Sequence, residues 1–278
     1  MINQAELRNL LSAAISAAIR AGKLIMDVYN SNDFHVNLKS DKTPLTLADR
    51  KAHSEIASSL SKTRIPSLSE EGRNILYEER KGWEYFWLVD PLDGTKEFIK
   101  RNGEFTVNIA LIHNSYPIMG VVYAPVTGDL YFSLKNEGAF KSVSILPDEM
   151  ANFRFDDLIK TSIKLPFLDE SEPITVVASR SHLSAETENY INNLKKKYEN
   201  IRIISQGSSL KMCMVAEGIV NIYPRFTNTW EWDTAAGQAL VEATGKFVVS
   251  AETSKRLVYN KEDLQNPWFV AKARMDIG

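Results

Sequence analysis

This sequence has few cysteines and histidines and a net charge close to zero. The one cysteine, Cys213, allows no disulfide within the chain, which favours a reducing compartment. The four histidines show none of the spacings that are typical of a zinc site. The 33 Lys and Arg residues against 35 Asp and Glu residues leave a formal net charge of −2, without the basic excess of a protein dedicated to nucleic-acid polymers. A pocket for a single nucleotide remains compatible with that charge.

Long apolar runs are absent as well. No stretch approaches the ~20 apolar residues that span a bilayer, and charged residues interrupt the N-terminal segment too often for a signal peptide. We therefore expect a cytoplasmic protein, with peripheral docking on the inner membrane left open. The sequence also has no G-x-S-x-G elbow and no Walker A loop. Its 278 residues, 44% hydrophobic and 24% charged, have the composition of a folded protein rather than of a disordered chain or a coiled coil.

The N-terminal half of the chain carries both helical and extended patterns. Apolar residues at steps of three and four predict a helix over residues 5–29. Thr46, as an N-cap with Asp49 three residues on, predicts a second helix after it. A continuous apolar run over 85–89 predicts a strand that is buried on both faces and ends at Asp90. Further strands are predicted at 105–113, 118–123 and 130–132.

The least patterned region is 144–172, which contains Pro147 and Pro166 and is followed by Pro173. We predict a boundary there between an α+β unit over 1–150, with most candidate metal ligands, and an α/β unit over 151–278, with the candidate nucleotide contacts. The second unit is predicted to be α/β because strands and helices alternate along it. Its strands are predicted at 174–178, 201–204 and 219–223, and its helices at 184–198, 208–217 and 234–244.

The strongest local motif is an Asp-Pro-Leu-Asp-Gly-Thr segment that begins at Asp90. A tight turn there can bring the carboxylates of Asp90 and Asp93 and the carbonyl of Leu92 to one side. Three oxygen ligands within four residues suit a hard cation such as Mg²⁺. Backbone N–H groups of Gly94 and Thr95, where a helix is predicted to start, would favour a phosphate. The alternative is a plain tight loop, since Asp, Pro and Gly are ordinary turn residues.

Three further carboxylates lie where a strand or loop meets the end of an element: Asp49, Glu70 and Asp233. Each also has a structural interpretation, because Asp49 suits a capping box, Glu70 a solvated acidic turn and Asp233 an N-cap. The ends of strands are, however, where α/β sheets bind ligands. Carboxylates that converge repel one another unless a cation neutralises them, and divalent ions would do so at a phosphate-transfer site.

Taken together, these segments are similar to signature segments of the inositol monophosphatase superfamily, a family of magnesium-dependent, lithium-sensitive phosphatases. The segments that carry this resemblance are 69–71, 87–95 and 232–237. Four further segments resemble the CysQ-type 3'(2'),5'-bisphosphate nucleotidases within it: 96–112, 179–182, 207–211 and 223–226. The resemblance implies a layered αβαβα sandwich with an α+β N-terminal half, an α/β C-terminal half and the site between them.

The resemblance also implies roles for individual residues. Two or three Mg²⁺ ions would be held by Glu70, Asp90, Asp93 and Asp233 and by the carbonyl of Leu92. The attacking water would be activated by Asp49 and Thr95, with Glu70 as a further catalytic residue. The substrate would be contacted by Gly94, Thr95, His182, Ser208, Lys211, Arg225 and Asp233. These roles are expectations that follow from the family, not from spacing.

The implied reaction is hydrolysis of the 3'-phosphate of adenosine 3',5'-bisphosphate to AMP and phosphate. Adenosine 3'-phosphate 5'-phosphosulfate would be a second substrate, and the role would lie in sulfur assimilation or nucleotide recycling. The expected partner is thus a small nucleotide rather than a nucleic-acid polymer, and the chain would act as a monomer or a homodimer. One alternative is an inositol monophosphatase or general sugar phosphatase. It is less favoured because a sugar monophosphate does not need the cations of Lys211 and Arg225.

A second alternative is a nucleotide sensor that has kept the fold without catalysis. The complete set of candidate ligands and water activators argues against this alternative, because a binding module has no need to keep a water activator. The two alternatives are separated by experiment: turnover of an inositol phosphate would favour the first, and binding without any phosphate release would favour the second.

Overall fold

A computed structural model describes residues 2–31, 37–38, 44–145, 155–168, 173–179 and 184–277. Within these ranges the helices are α1 (Gln4–Tyr29), α2 (Leu47–Ser61), α3 (Tyr77–Arg80), α4 (Thr95–Ile99), α5 (Phe155–Thr161), α6 (Ala185–Lys197), α7 (Leu210–Glu217) and α8 (Glu231–Ala243). The short strands β1 (Asn37–Leu38) and β2 (Pro44–Leu45) pair as an antiparallel ribbon. No helix in the described ranges combines the length and apolarity needed to cross a membrane.

Seven strands form the first sheet, in chain order from one edge to the other. They are β3 (Ser67–Ser69), β4 (Tyr85–Asp93), β5 (Thr106–His113), β6 (Tyr116–Ala124), β7 (Asp129–Leu134), β8 (Gly138–Ser142) and β9 (Ile163–Leu165). β3 and β4 run parallel, and every other neighbouring pair is antiparallel. In β4 the side chains of Trp87 and Val89 pack against α1 and α2, whereas Phe86 and Leu88 pack against α7 and α8. The predicted burial of this strand on both faces is therefore confirmed.

Five strands form the second sheet, in the order β11-β10-β12-β14-β13. They are β10 (Ile174–Ser179), β11 (Ile201–Gln206), β12 (Ile222–Arg225), β13 (Phe247–Ser250) and β14 (Phe269–Lys272). β10 runs parallel to β11 and β12, while β14 runs antiparallel to β12 and β13. The parallel strands follow the predicted alternation with helices, and the antiparallel pair at the C-terminal end was not predicted.

The elements stack in five layers. Helices α1 and α2 cover the outer face of the first sheet, α7 and α8 lie between the two sheets, and α6 covers the outer face of the second. The predicted αβαβα sandwich is confirmed. The central layer is tightly packed, because a Cβ atom at Gly120 of β6 would lie 2.4 Å from the carbonyl oxygen of Ala236 in α8. Only glycine allows the helix to approach the strand this closely.

Some bounds differ from the prediction, and each difference has a local cause. β4 continues past Asp90 because, after a register shift, Asp93 still pairs with Thr106 of β5. β12 begins at Ile222 rather than at 219, because Gly218 ends α7 with a φ of 90° just before it. β9, which was not predicted, pairs with β8. All strands from β3 to β9, which ends at residue 165, thus belong to the first sheet, and all later strands belong to the second. The predicted division into domains at 150 stays a prediction.

Candidate active site

The end of β4 carries two carboxylates in different settings. Asp90 is buried within the strand, and its Oδ1 accepts the N–H of Leu92 at 3.0 Å. Asp93 follows the register shift and is half-buried at the wall of a cavity. Gly94 then turns the chain with a φ of 95°, and a side chain there would meet the Glu104 carbonyl oxygen at 3.0 Å. The turn predicted for this motif therefore requires glycine at that position.

Asp49 lies beneath the start of α4 and is 2% exposed. Its Oδ2 accepts the backbone N–H of Thr46 at 2.7 Å, which is the predicted capping box at the start of α2. Its Oδ1 accepts the hydroxyl of Thr95 at 3.2 Å. The capping interpretation and the catalytic one are therefore compatible, because they use different oxygens of the same carboxylate.

Five carboxylates line one cavity of about 260 Å³: Glu70, Asp90, Asp93 and Asp233, which were predicted, and Glu97, which was not. Burial raises the pKa of Asp90 well above its ordinary value, and the charges of Glu70, Asp93 and Asp233 raise it further. Burial likewise raises the pKa of Asp233, with added repulsion from Asp93 and Glu70. No group of three or more Asp, Glu, His or Cys side chains is arranged as a finished metal site within the described ranges. The carboxylates thus converge from several elements without closing on one another.

Ser209 connects the carboxylates of the two halves. Its hydroxyl donates to Asp93 Oδ2 at 2.7 Å and accepts the Nδ2–H of Asn108 at 2.6 Å. The same hydroxyl lies 3.3 Å from the carbonyl oxygen of Asp233. Sequence reasoning missed both Ser209 and Asn108. The one signal that could have found Asn108 is a polar residue inside the otherwise apolar β5.

Helix α7 starts at a different residue from the one predicted, and this changes the environment of Ser208 in the site. The helix begins at Leu210, and Ser209 rather than Ser208 is its N-cap residue. Ser208 instead has a φ of 46°, and its buried hydroxyl has no hydrogen-bond partner among the described residues. The helix predicted from residue 208 therefore begins two residues later, and the Ser208 side chain is available to a ligand in the cavity that it lines.

Two cations, Lys211 and Arg225, line the same cavity as these carboxylates. Lys211 is 4% exposed, and its Nζ donates to the carbonyl oxygen of Ser208 at 2.6 Å. Burial lowers the pKa of Lys211 to about 8, and the nearby charge of Arg225 contributes to the lowering. The buried Nε of Arg225 has no hydrogen-bond partner in the described part of the chain. The Nε of Arg225 can therefore receive an anion, since a buried donor without a partner is costly.

Asp233 is held in place by the first turn of α8, which starts three residues earlier than predicted. The Asp233 carboxylate accepts the N–H of Trp230 at 2.8 Å, so Asp233 lies inside the helix rather than at its N-cap. The earlier start follows from Glu231, which is fully buried and accepts the backbone N–H groups of Asn260 and Lys261 at 2.7 and 3.0 Å. Because these partners are some thirty residues away, a local pattern could not reveal them.

The structure brings most of the predicted site residues to one cavity. Those that line it are Glu70, Asp90, Leu92, Asp93, Gly94, Thr95, Ser208, Lys211, Arg225 and Asp233. Asp49 contacts the site through Thr95. His182 lies outside the described residues. The cavity thus combines oxygen donors, which suit a divalent cation, with cations, which suit a phosphate.

Comparison with known proteins places this geometry among phosphatases. A model of the inositol monophosphatase family matches residues 6–274. The 3'(2'),5'-bisphosphate nucleotidase CysQ of Shigella flexneri is 43% identical over 264 residues, which cover 94% of this chain and 98% of the relative. The curated CysQ of Escherichia coli K12 is 41% identical over the same shares of the two chains.

Solved structures extend the comparison. The crystal structure of CysQ from Bacteroides thetaiotaomicron, a bacterial member of the inositol monophosphatase family, is 51% identical with a TM-score of 0.88. The match covers 95% of this chain and 97% of that one. An IMPase/NADP phosphatase complexed with Mg²⁺ and phosphate is 17% identical with a TM-score of 0.68, over 91% of this chain and 86% of that one. At that identity the likeness is one of fold alone.

Proposed function

The chain belongs to the inositol monophosphatase family, and from that premise we propose that it removes the 3'-phosphate of adenosine 3',5'-bisphosphate, giving AMP and phosphate. The observation that carries this proposal is that one cavity is lined both by carboxylates, here called its acidic end, and by Lys211 and Arg225, here called its basic end. A substrate with two phosphates suits both ends, one phosphate being hydrolysed and the other held. Relatives at 41–43% identity that are named 3'(2'),5'-bisphosphate nucleotidase support the proposal.

The acidic end fits Mg²⁺. Its donors are all oxygens, and burial together with mutual repulsion raises the pKa of Asp90 and Asp233, a cost that a divalent cation would relieve. The ligands would be the side chains of Glu70, Asp90, Asp93 and Asp233 and the carbonyl of Leu92. When bound, two or three such ions would polarise the phosphoryl oxygens and lower the pKa of a bound water. A protein of the same fold was crystallised with Mg²⁺ and phosphate, which supports this assignment.

Asp49 and Thr95 are positioned to take a proton from the attacking water. The Thr95 hydroxyl already donates to Asp49, so it can accept a proton from the water while its own proton passes to the carboxylate. The water oxygen then forms a bond to phosphorus as the bond to the ribose 3'-oxygen breaks. That oxygen takes a proton from solvent and leaves as the 3'-hydroxyl. Gly94 and Thr95 would hold the scissile phosphate with their backbone N–H groups.

The second phosphate of the substrate is assigned to the basic end. Arg225 Nε and Ser208 Oγ are buried donors without partners in the described ranges, and a phosphate would satisfy both. Lys211 adds a charge beside them. Asp233 would contact the ribose, because it lies at the carboxylate end of the same cavity. His182 keeps its predicted role as a nucleotide contact on sequence grounds alone.

The direct test compares two substrates at one enzyme concentration. Phosphate release from adenosine 3',5'-bisphosphate and from inositol 1-phosphate is measured with Mg²⁺, and a chelator provides the matched blank. We expect kcat/KM for the bisphosphate to exceed that for inositol 1-phosphate by at least about tenfold, since the buried donors Arg225 Nε and Ser208 Oγ gain no partner from a substrate without a second phosphate. Faster turnover of inositol 1-phosphate would overturn the proposal in favour of a sugar phosphatase.

A failure of both substrates would point elsewhere. If Mg²⁺ supported no release from any 3'-phosphonucleotide, while the bisphosphate still bound, the nucleotide-sensor interpretation would replace catalysis. If release occurred, adenosine 3'-phosphate 5'-phosphosulfate would be the next substrate to test, because it differs from the bisphosphate only beyond the 5'-phosphate.

The proposed setting is the cytoplasm, where the chain would serve sulfur assimilation or nucleotide recycling. A single buried cysteine, Cys213, is compatible with a reducing compartment. The proposed partner is a small nucleotide. The proposed assembly is a monomer or a homodimer.

A further inference from the structure

An exposed aromatic face lies at the wall of the cavity, apart from its acidic groups. Trp230 lines the cavity and is 39% exposed, so a large part of its indole is accessible to solvent. Its indole stacks on Trp232, with ring centroids 5.6 Å apart and an angle of 14° between the planes. One ring face of Trp230 is therefore covered by protein, which leaves the other face for solvent or a ligand.

The backbone of Trp230 is fixed relative to the carboxylates. Its N–H donates to Asp233 Oδ2 at 2.8 Å, and its carbonyl oxygen accepts the Nδ2–H of Asn266 at 2.6 Å. Trp230 also forms an isolated β-bridge with Gln265. An aromatic ring that is already backed by a second ring and anchored at its backbone loses little freedom when a flat ligand stacks on it.

The groups around Trp230 match the parts of a nucleotide. Arg225 and Ser208 line the same cavity with buried, unpartnered donors for an anion, as judged from the described residues. Asn228 and Thr229, which lie between Arg225 and Trp230 in the sequence, also line this cavity. An inositol or other sugar phosphate has no flat π surface and would leave the exposed indole face without a purpose. A nucleotide has both an anion and a flat base.

We propose that the exposed indole face of Trp230 is the stacking platform for the purine base of the substrate, and that it makes Trp230 a determinant of specificity for nucleotides. This inference rests on the proposed function for the choice of ligand. Stacking of a base on an aromatic side chain tolerates changes at the edge of the base and depends on the presence of the ring. Trp230 should therefore govern affinity for the base and leave the phosphate chemistry unaffected.

The test uses two ligands that differ only in the base. Equilibrium binding of adenosine 3',5'-bisphosphate and of 1-O-methylribose 3,5-bisphosphate is measured for the full chain and for Trp230→Ala. We expect the substitution to weaken binding of the adenosine ligand by about tenfold to a hundredfold and to change binding of the baseless ligand by less than about twofold. Equal losses for the two ligands, or no loss for either, would overturn the proposal.

Two further variants control for damage to the fold. Trp230→Phe keeps a ring on the same anchored backbone and should recover most of the lost affinity, whereas a structural role of the indole would not be recovered. Trp268→Ala removes a tryptophan of nearly equal exposure, 38%, which packs on Phe226 and does not line the cavity, and it should bind both ligands as the unmodified chain does.

The test is also separate from that of the proposed function. If the unmodified chain releases no phosphate from adenosine 3',5'-bisphosphate, the proposed function fails, and the binding comparison still decides the platform. If the unmodified chain binds both ligands with equal affinity, the platform is wrong even when turnover is observed.

Discussion

The acidic end of the cavity takes three of its groups from four consecutive residues, whereas the basic end takes its groups from two separate elements, α7 and β12. Both ends are electrostatically costly, with opposite signs. At the acidic end, burial and mutual repulsion raise the pKa of Asp90 and Asp233. At the basic end, burial and the charge of Arg225 lower the pKa of Lys211. Each end is therefore stabilised by a different ligand, a cation at one and an anion at the other.

Because the two ends bind different parts of the substrate, we expect substitutions at each end to change different kinetic constants. Groups at the acidic end act on the reacting phosphate, so their loss should mainly lower kcat. Groups at the basic end bind a part of the substrate that does not react, so their loss should mainly raise KM. The first three predictions test this division, and the fourth concerns Ser209, which connects Asp93 with the start of α8.

The largest effect is expected for Asp93→Asn. The amide keeps the shape and can still accept from Ser209, but it removes a charge that Mg²⁺ would require, so kcat should fall by at least about a thousandfold. The melting temperature should change little. Phosphate release and thermal unfolding provide the measurements, and Asp276→Asn, at an exposed position, is the control. Unchanged kinetics would remove Asp93 from the metal site.

A smaller and different effect is expected for Arg225→Ala. Loss of a charged donor to the second phosphate should raise KM for adenosine 3',5'-bisphosphate by about tenfold to a hundredfold. KM for adenosine 3'-phosphate, which lacks that phosphate, should hardly change. Arg202→Ala, on an exposed part of β11, is the control. An equal rise for both substrates would contradict a role in binding the second phosphate.

The pH dependence of binding should reveal Lys211. Because its pKa is about 8 in the folded chain, its ammonium is lost as the pH rises through that value, and KM for the bisphosphate should then increase several-fold. The contribution to folding has the opposite sign, since above pH 8 only the unfolded chain keeps this proton and the free energy of unfolding rises with pH. KM profiles between pH about 7 and 9 test this. If KM for the bisphosphate still rose with pH in Lys211→Met, the deprotonation of another group would be the cause.

The smallest effect is expected for Ser209→Ala, at the residue that connects Asp93 with the start of α8. Loss of the hydrogen bond that orients Asp93 should lower kcat by roughly fivefold, the value of about 1 kcal/mol for one hydrogen bond. Ser133→Ala is the matched control, because the buried Ser133 hydroxyl has no hydrogen-bond partner among the described residues. The activity of Ser133→Ala should equal that of the unmodified chain. A change confined to KM in Ser209→Ala would place Ser209 at the basic end instead.

The same comparison explains what the sequence could predict. The acidic end was predictable because Asp90, Leu92 and Asp93 are neighbours in a motif whose turn chemistry is local. The buried strand before them was predictable because both of its faces are covered, which leaves a continuous apolar run. The layered fold followed from the family resemblance and not from periodicity, since the antiparallel pair β13 and β14 had no recognisable signal.

What could not be predicted depends on contacts between distant residues. Ser209 meets Asp93 and Asn108 across more than a hundred positions of the chain, and neither spacing nor propensity encodes such a meeting. The early start of α8 is similar, because Glu231 is neutralised by Lys261 and hydrogen-bonded by its neighbourhood. Without those partners, a buried glutamate would be a poor choice for a first helical turn in the core.

The glycine at position 120 extends the constraint on activity to residues that have no functional group. It allows α8 to lie against β6, and α8 carries Asp233 at its start. An added methyl group there would push against the helix backbone rather than against a flexible side chain, so the helix as a whole would have to shift. We therefore expect selection for catalysis to act on Gly120, although this residue has no functional side chain. Replacement of Gly120 by any larger residue could therefore abolish the reaction even when every polar group of the site is left intact.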